Sequence, residues 1–191
     1  MKLKGKDLMN IGIFTAIYLV LTTIVAVLGF IPIFIPLLIV FVPIIGGIPM
    51  VLYYAKIKTF GMLTVTGIIC GIFMILTGMG YWSVITGLVF GLIADIIVKL
   101  SDYKSSFAVT ISYGLFSMWL LGNYLPIVFT RDSYYKDLIS NYSQEYADKL
   151  MGYMPLWMIP VLAAAGFISG IIGSFVGRKI FDKHFKKAGV V

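Results

Sequence analysis

The chain has 191 residues, of which 60% are hydrophobic and 12% are charged, and its mean hydropathy is +1.01. A soluble domain usually carries about 25% charged residues, so the composition excludes a water-soluble globular protein and predicts one that is dissolved in lipid. The net charge is +7, but the basic residues lie at the ends of apolar runs instead of forming a stripe with interleaved aromatic residues, which excludes nucleic-acid binding.

The beginning of the chain is basic and leads directly into an apolar run. Residues 1–6 contain three lysines, and the run that follows covers residues 8–29. At about 22 residues this run is longer than the apolar core of a secretory signal peptide, and no clear small-residue cleavage site follows it. We therefore expect a first transmembrane helix that is retained.

Six apolar runs in all are long enough to span a bilayer, which takes about 20 residues in a helix. They cover residues 8–29, 34–55, 59–77, 81–99, 105–128 and 155–180. Pro32 and Pro36 separate the first two runs, because proline breaks a helix. The sequence therefore predicts a single domain, residues 1–191, with an all-α fold: an integral bundle of six transmembrane helices in the cell membrane, surrounded by the lipid bilayer.

One connection between the predicted spans is long, at residues 130–152, and it is polar and rich in tyrosine. Long loops in compact proteins are usually functional or disordered. Within it, residues 132–139 and 144–151 each have the pattern of a short amphipathic helix. We expect this loop to be partly ordered over one face of the membrane.

The distribution of positive charge predicts the orientation of the bundle. With the N-terminus and the C-terminus in the cytoplasm, twelve basic residues fall on the cytoplasmic side and three on the outer side. The twelve are Lys2, Lys4, Lys6, Lys56, Lys58, Lys99, Lys104, Arg178, Lys179, Lys183, Lys186 and Lys187, and the three are Arg131, Lys136 and Lys149. Positive charge concentrates on the cytoplasmic side of membrane proteins, so the long loop is predicted to be external.

Catalytic and metal-binding patterns are missing from the sequence. His184 is the only histidine and Cys70 the only cysteine, which excludes a disulfide framework and a cysteine-based metal site. Asp95 is the one acidic residue inside a predicted span, and its spacing from Lys99 favours an i,i+4 ion pair. The alternative is that Asp95 contacts a partner helix or a coupling ion. We expect no catalytic residue, no metal and no cofactor.

Small residues recur at four-residue spacing in several spans, which lets two helices approach closely. The pairs or series are Gly12 and Ala16, Gly67 and Gly71, Gly87 and Gly91, and, in the sixth span, Gly166, Gly170, Gly173 or Ser174, and Gly177. Most of them are explained by packing inside the bundle. Large apolar residues flank Gly12 and Ala16, so this pair is predicted to face a second membrane protein.

Aromatic and polar residues collect at the predicted outer ends of the spans. They are Tyr81, Trp82, Trp119, Asn123, Tyr124, Arg131, Tyr135 and Trp157. A belt of tryptophan and tyrosine at the membrane interface accounts for part of this pattern. Asn123 and Arg131 need polar partners if they are buried. The group as a whole predicts a small-molecule pocket beneath the long loop.

Three segments carry a family resemblance: Leu8–Tyr18 with its pair Gly12 and Ala16, Gly122–Pro126 followed by Arg131, Asp132 and Tyr135, and the C-terminal run Gly177–Gly189. On these the chain resembles an S component, the substrate-capture subunit of an energy-coupling factor (ECF) transporter, in the MptD/Trep-Strep subfamily. The family's docking motif usually has alanine at both small positions, whereas this chain has Gly12 at the first.

The resemblance implies uptake of a scarce micronutrient by an ABC-type importer. The S component would bind a small-molecule substrate from outside, dock through Gly12 and Ala16 on a transmembrane coupling subunit, and rely on two cytoplasmic ABC ATPases. The chain has no glycine-rich phosphate loop, so ATP must be hydrolysed elsewhere. A vitamin, a cofactor precursor and haem remain open as substrates, because Met79, Tyr81, Tyr124, Tyr134 and Tyr135 suit a flat ligand.

Two other functions stay open from the sequence. A small polytopic membrane enzyme would use Arg131 and Asp132 at the outer interface. A membrane scaffold would bind its partners through the glycine stripes.

Overall fold

The computed structural model describes residues 5–184, and within them the chain is helical with no β-strand. The described α-helices are α1 (Gly5–Ala26), α2 (Ile35–Lys56), α3 (Met62–Leu76), α4 (Trp82–Leu100), α5 (Ser106–Ser117), α6 (Pro126–Phe129), α7 (Arg131–Asn141), α8 (Gln144–Tyr153) and α9 (Met158–His184). Three 3-10 segments join them, at Val27–Phe30, Pro32–Phe34 and Met118–Asn123. The predicted all-α fold is confirmed.

Four described segments are long and apolar enough to cross a membrane: Gly5–Phe30, Pro32–Lys56, Trp82–Leu100 and Met158–Lys183. The third predicted span, residues 59–77, contains α3, which has 15 residues and is therefore about 22 Å long. The fifth, residues 105–128, is interrupted where α5 gives way to a 3-10 segment and then to α6. By length and composition, four segments of the described chain are therefore candidate membrane spans, while the count of six stays a prediction.

The predicted external loop, residues 130–152, forms two helices, α7 and α8. Helix α8 begins at a side-chain cap, because the Ser143 hydroxyl accepts a hydrogen bond from the backbone N–H of Tyr146 at 3.1 Å. Such a cap satisfies one of the free donors at a helix start. The two short helices predicted in this loop are confirmed.

Interhelical contacts show that the helix ends collect on two opposite faces of the bundle. Asp95, near the end of α4, bonds to the start of α3, and Arg178, near the end of α9, donates to the carbonyl oxygen of Ser106 at the start of α5. We call this face, which also holds the start of α1 and the end of α2, the basic face. The opposite face carries α6, α7 and α8, and we call it the loop face.

Of the basic residues that the structure describes, eight lie at the basic face and three at the loop face. The eight are Lys6, Lys56, Lys58, Lys99, Lys104, Arg178, Lys179 and Lys183; the three are Arg131, Lys136 and Lys149. Lys2, Lys4, Lys186 and Lys187, which the charge count also used, lie outside the described residues, as does the end of the run Gly177–Gly189. The folded chain therefore keeps the charge asymmetry that was read from the sequence.

Glycines bring neighbouring helices into backbone contact. A methyl group on Gly47 of α2 would lie 2.2 Å from the carbonyl oxygen of Gly173 on α9, and one on Gly67 of α3 would lie 2.3 Å from that of Gly87 on α4. No real Cβ atom fits at these distances, so only glycine permits this approach. The glycine stripes of the later spans thus serve packing inside the bundle, as predicted.

Asp95 does not form the predicted ion pair with Lys99. Its carboxylate accepts hydrogen bonds from the backbone N–H groups of Leu63 and Thr64, at 3.2 and 2.8 Å, and from the Thr64 hydroxyl at 2.6 Å. The Lys99 ammonium instead lies 4.6 Å from the centre of the Phe60 ring. The ion-pair prediction was wrong because the start of α3 offers free N–H donors that a sequence spacing within α4 does not reveal.

The glycine contacts generate a stability prediction. Gly47→Ala forces a methyl group against the Gly173 carbonyl, and overpacking of this kind typically costs about 1–3 kcal/mol. We expect a lower midpoint of thermal unfolding for the detergent-solubilised protein. Gly12→Ala is the matched control, since a methyl group there meets no atom of the described chain within 4 Å and alanine favours a helix. Equal midpoints for the two variants would contradict the packing.

Candidate ligand site at the loop face

Two adjoining pockets lie at the loop face, and we describe them as the outer and inner lobes of one cavity because they share six wall residues. The outer lobe has a volume of about 460 Å³ and the inner lobe one of about 210 Å³. Both lobes share walls formed by Phe30, Ile35, Thr77, Met79, Tyr134 and Tyr142. Pockets for small ligands usually measure about 300–1,000 Å³, so the cavity is of a size that suits one small organic molecule.

Aromatic side chains from distant parts of the sequence form much of the outer lobe. Tyr81 and Trp82 stack with ring centroids 5.1 Å apart, and Trp82 stacks in turn on Phe129 at 4.7 Å. On the roof helices, the rings of Tyr142 and Tyr146 stack at 4.5 Å. Stacked rings restrain one another, so these walls present fixed aromatic surface.

The inner lobe presents mainly apolar surface, because several of its polar side chains are hydrogen-bonded within the protein. Trp119 is fully buried, and its indole N–H donates to the hydroxyl of Tyr18 at 3.1 Å. The Tyr124 hydroxyl donates to the carbonyl oxygen of Ile35 at 2.7 Å. The side-chain oxygen of Asn123 accepts from a serine hydroxyl of α4 at 2.6 Å. The remaining wall is supplied mostly by aliphatic residues and by Phe30 and Phe73.

Helices α7 and α8 roof the cavity and are tied down by tyrosine. The Tyr146 hydroxyl donates to the carbonyl oxygen of Gly29, at the end of the first span, at 2.5 Å. Burial raises the pKa of Tyr146 and that of Tyr134 to about 12, so both hydroxyls stay protonated at neutral pH. Tyr135 joins the two roof helices by donating to the Asp148 carboxylate at 2.5 Å.

Five of the eight residues predicted to bind substrate line the cavity. Tyr81 and Trp82 lie in the outer lobe, and Trp119, Asn123 and Tyr124 in the inner lobe. Thus the 3-10 segment that interrupts the fifth predicted span carries two of these residues. Whether any of them binds substrate stays a prediction.

The other three predicted residues lie outside the cavity walls. The Arg131 guanidinium donates to the carbonyl oxygen of Met154 at 3.4 Å and so joins the start of α7 to the end of α8. Tyr135 makes the contact between the roof helices. Trp157 is 67% exposed, as expected for a residue of an interfacial belt. Arg131 and Tyr135 therefore join the two roof helices, α7 and α8, to each other.

Sequence reasoning missed several residues of the outer lobe, among them Phe30, Asp137, Asn141, Tyr142 and Tyr146. A signal for part of this set was present. On α7 the lining residues Tyr134, Asp137, Leu138 and Asn141 follow the i, i+3, i+4, i+7 spacing of one helix face. The sequence does not show that this face of α7 points into the cavity, because that depends on where α7 lies over the bundle.

The chemistry of the described lining residues suits binding more than bond making. They include one carboxylate, Asp137, and no histidine, cysteine, lysine or arginine. Elsewhere in the described residues, no group of three or more histidine, cysteine, aspartate or glutamate side chains is placed to hold a metal ion. The cavity walls would surround a ligand and present aromatic surface to it.

The predicted docking pair lies on the opposite side of the first helix from the bundle. Gly12 and Ala16 are exposed, and so are Met9, Ile13 and Val20 beside them. Helix α1 contacts the bundle through its other face, where Thr15 shares a hydrogen bond of 3.0 Å with Thr66 of α3. The stripe of small residues on α1 is therefore open at the surface, unlike those of the later helices.

Comparison with known proteins assigns a family. A family model described as "Hypothetical bacterial integral membrane protein (Trep_Strep)" matches residues 5–187. No curated protein and no solved structure matches the chain.

The tie between Tyr146 and Gly29 generates a prediction about the roof. Tyr146→Phe removes one hydrogen bond, which typically contributes about 1 kcal/mol, so local opening of α8 should become about fivefold more frequent. Amide hydrogen exchange across Gln144–Tyr153 measures this opening. Tyr153→Phe is the control, because Tyr153 is an exposed tyrosine of the same helix. Unchanged exchange in Tyr146→Phe would show that the tie does not hold the roof.

Proposed function

The chain belongs to the Trep_Strep family of bacterial integral membrane proteins, and from this premise we propose that it is the S component of an ECF-type ABC importer. In this proposal it captures a scarce micronutrient at the outer side of the cell membrane. It then docks on a transmembrane coupling subunit that two cytoplasmic ATPases drive. The observation that carries the proposal is the roofed, two-lobed cavity at the loop face, opposite the basic face.

The proposal includes six membrane crossings with both ends in the cytoplasm. The four long segments would be completed by α3 and by the stretch Ser106–Asn123, in which α5 continues into a 3-10 segment. The charge asymmetry between the two faces supports this orientation. It turns the cavity and its roof toward the exterior, where a scarce nutrient is met.

The substrate site of the proposal is the cavity itself. Tyr81, Trp82, Trp119, Asn123 and Tyr124 would contact the substrate, with Tyr134 and Tyr142 from the roof. Enclosure by a roof supports high-affinity capture, because a ligand that loses most of its contact with water gains from every apolar contact. Vitamins and cofactor precursors are small enough to fit.

The docking surface of the proposal is the open face of α1. Close approach of helices in lipid depends on small residues, because lipid chains provide no hydrophobic drive for association. Gly12 and Ala16 supply such a groove at the surface. The scaffold function loses its main support, since the other glycine stripes are occupied inside the bundle.

We further propose that the chain is not an enzyme. Arg131, the residue on which a membrane enzyme would depend, bonds to the carbonyl of Met154, and Asp132 beside it is exposed. Neither lines the cavity. The energy for transport would come from the ATPases, since this sequence has no phosphate-binding loop.

Native mass spectrometry of the protein, purified gently from its own membrane, tests the proposal directly. The expected result is a complex that contains this chain, a coupling subunit, two ATPases and one small molecule. A chain that carries no ATPases, and that gains none when the membrane is solubilised more gently, would count against an ECF importer.

Substitution of the docking groove gives a sharper prediction. Ala16→Trp fills the groove on α1 and should abolish co-purification of the coupling subunit, while retention of the bound small molecule stays unchanged because Ala16 lines neither lobe of the cavity. Ile172→Trp is the matched control, since Ile172 is an exposed residue of α9. Loss of the coupling subunit from both variants, or from neither, would exclude α1 as the docking face.

A further inference from the structure

We propose that the cavity selects an amphipathic organic cation, whose positively charged head lies in the outer lobe and whose apolar part enters the inner lobe. This inference rests on the proposed function, because it names the class of substrate for the same site. It follows from the charges of the walls, from the rings around the outer lobe, and from the bonding of the polar groups in the inner lobe.

The only charge in the cavity walls, among the described residues, is negative. Asp137 is the one charged residue among the described residues that line either lobe, and it is exposed to solvent. The three cations at the loop face do not line the cavity. Lys149 pairs with Glu145 at 2.6 Å, Arg131 bonds to the Met154 carbonyl, and Lys136 is exposed. A ligand in the outer lobe therefore meets a negative carboxylate and no opposing cation within the walls.

The rings of the outer lobe add to this preference. The faces of tyrosine and tryptophan attract cations by about 0.5–2 kcal/mol, depending on how far the site is shielded from water. Tyr81 and Trp82 form one stacked group in the outer lobe, and Tyr142 and Tyr146 form another. Trp82 is stacked against both Tyr81 and Phe129, so the rings that have a face left for a cation are those of Tyr81, Tyr142 and Tyr146. Together with Asp137 they surround the lobe with groups that stabilise positive charge.

The inner lobe favours an apolar group. The indole N–H of Trp119 and the hydroxyls of Tyr124 and Thr22 are already donated within the protein, and the side-chain oxygen of Asn123 already accepts a hydrogen bond. The amide N–H groups of Asn123 are polar donors that a ligand in this lobe could still meet. A polar ligand group placed among them would lose its bonds to water and gain few in return. An alkyl or aryl group has no hydrogen bonds to water to lose there, and its burial from water is favourable.

The same walls oppose an anionic substrate. A carboxylate or phosphate in the outer lobe would lie near Asp137 with no lysine or arginine in the walls to balance it, and two negative charges repel one another. Haem carries two propionates, so this reasoning places haem low among the substrates that the sequence left open.

Three probes of nearly the same shape test the charge preference on the full chain in detergent. They are benzyltrimethylammonium, the uncharged 2-methyl-1-phenylpropan-2-ol, and the anion 2,2-dimethyl-3-phenylpropanoate. Isothermal titration, with protein first freed of any bound molecule, measures the affinity of each. We expect the cation to bind about tenfold more tightly than the alcohol, and the anion to bind most weakly. Equal affinity for cation and alcohol, strongest binding of the anion, or no saturable binding of the cation would overturn the proposal.

Two variants separate a cation site from general attraction to a charged surface. Asp137→Asn should weaken binding of the cation about five- to tenfold and leave that of the alcohol unchanged. Asp132→Asn makes the same change of charge on the same helix, outside the cavity, and should alter neither affinity. Equal effects of the two substitutions would show that Asp137 has no specific part.

The unfolding midpoint of each variant excludes loss of the fold as the cause of weaker binding. Co-purification with the coupling subunit provides the test of the proposed function on its own. A chain that docks but prefers the neutral probe would remain an S component with a substrate of another charge class.

Discussion

Backbone contact between glycines is the interaction on which the rest of this bundle depends. In lipid, apolar side chains gain little by leaving their solvent, so helices associate through close packing and interhelical hydrogen bonds. Gly47 against Gly173 and Gly67 against Gly87 supply the packing. Because these contacts bring backbones together, they set the positions of α2, α3, α4 and α9. Of these helices, α2, α3 and α4 carry residues of the cavity walls.

Hydrogen bonds between helices also stabilise the bundle, in addition to the glycine contacts. The Asp95 carboxylate bonds to the first N–H groups of α3, and the Ser112 hydroxyl of α5 donates to the carbonyl oxygen of Ala94 at 2.8 Å. Polar groups in lipid must find partners inside the protein. Both contacts lie toward the basic face. Other hydrogen bonds join the helices beside the cavity, such as that of Asn123 with a serine of α4 and that of Tyr124 with a carbonyl oxygen at the start of α2.

The two ends of the bundle have different properties. Toward the basic face, the helix ends carry most of the positive charge of the described residues. At the loop face, two short helices cover a cavity and are held by the hydroxyl of Tyr146 and by the buried side chains of Leu138, Ala147 and Leu150.

The sequence alone predicted the membrane class, the all-α fold, the two helices of the long loop, the charge asymmetry and six apolar runs, four of which form segments long enough to cross a membrane. All of these depend on local composition and periodicity, which a chain displays before it folds. Only the tertiary structure decided that Asp95 caps α3, that Arg131, Tyr135 and Trp157 lie outside the cavity, and that Asp137, Tyr142 and Tyr146 line it. The physical reason is that each such position depends on contacts between helices that are distant in sequence.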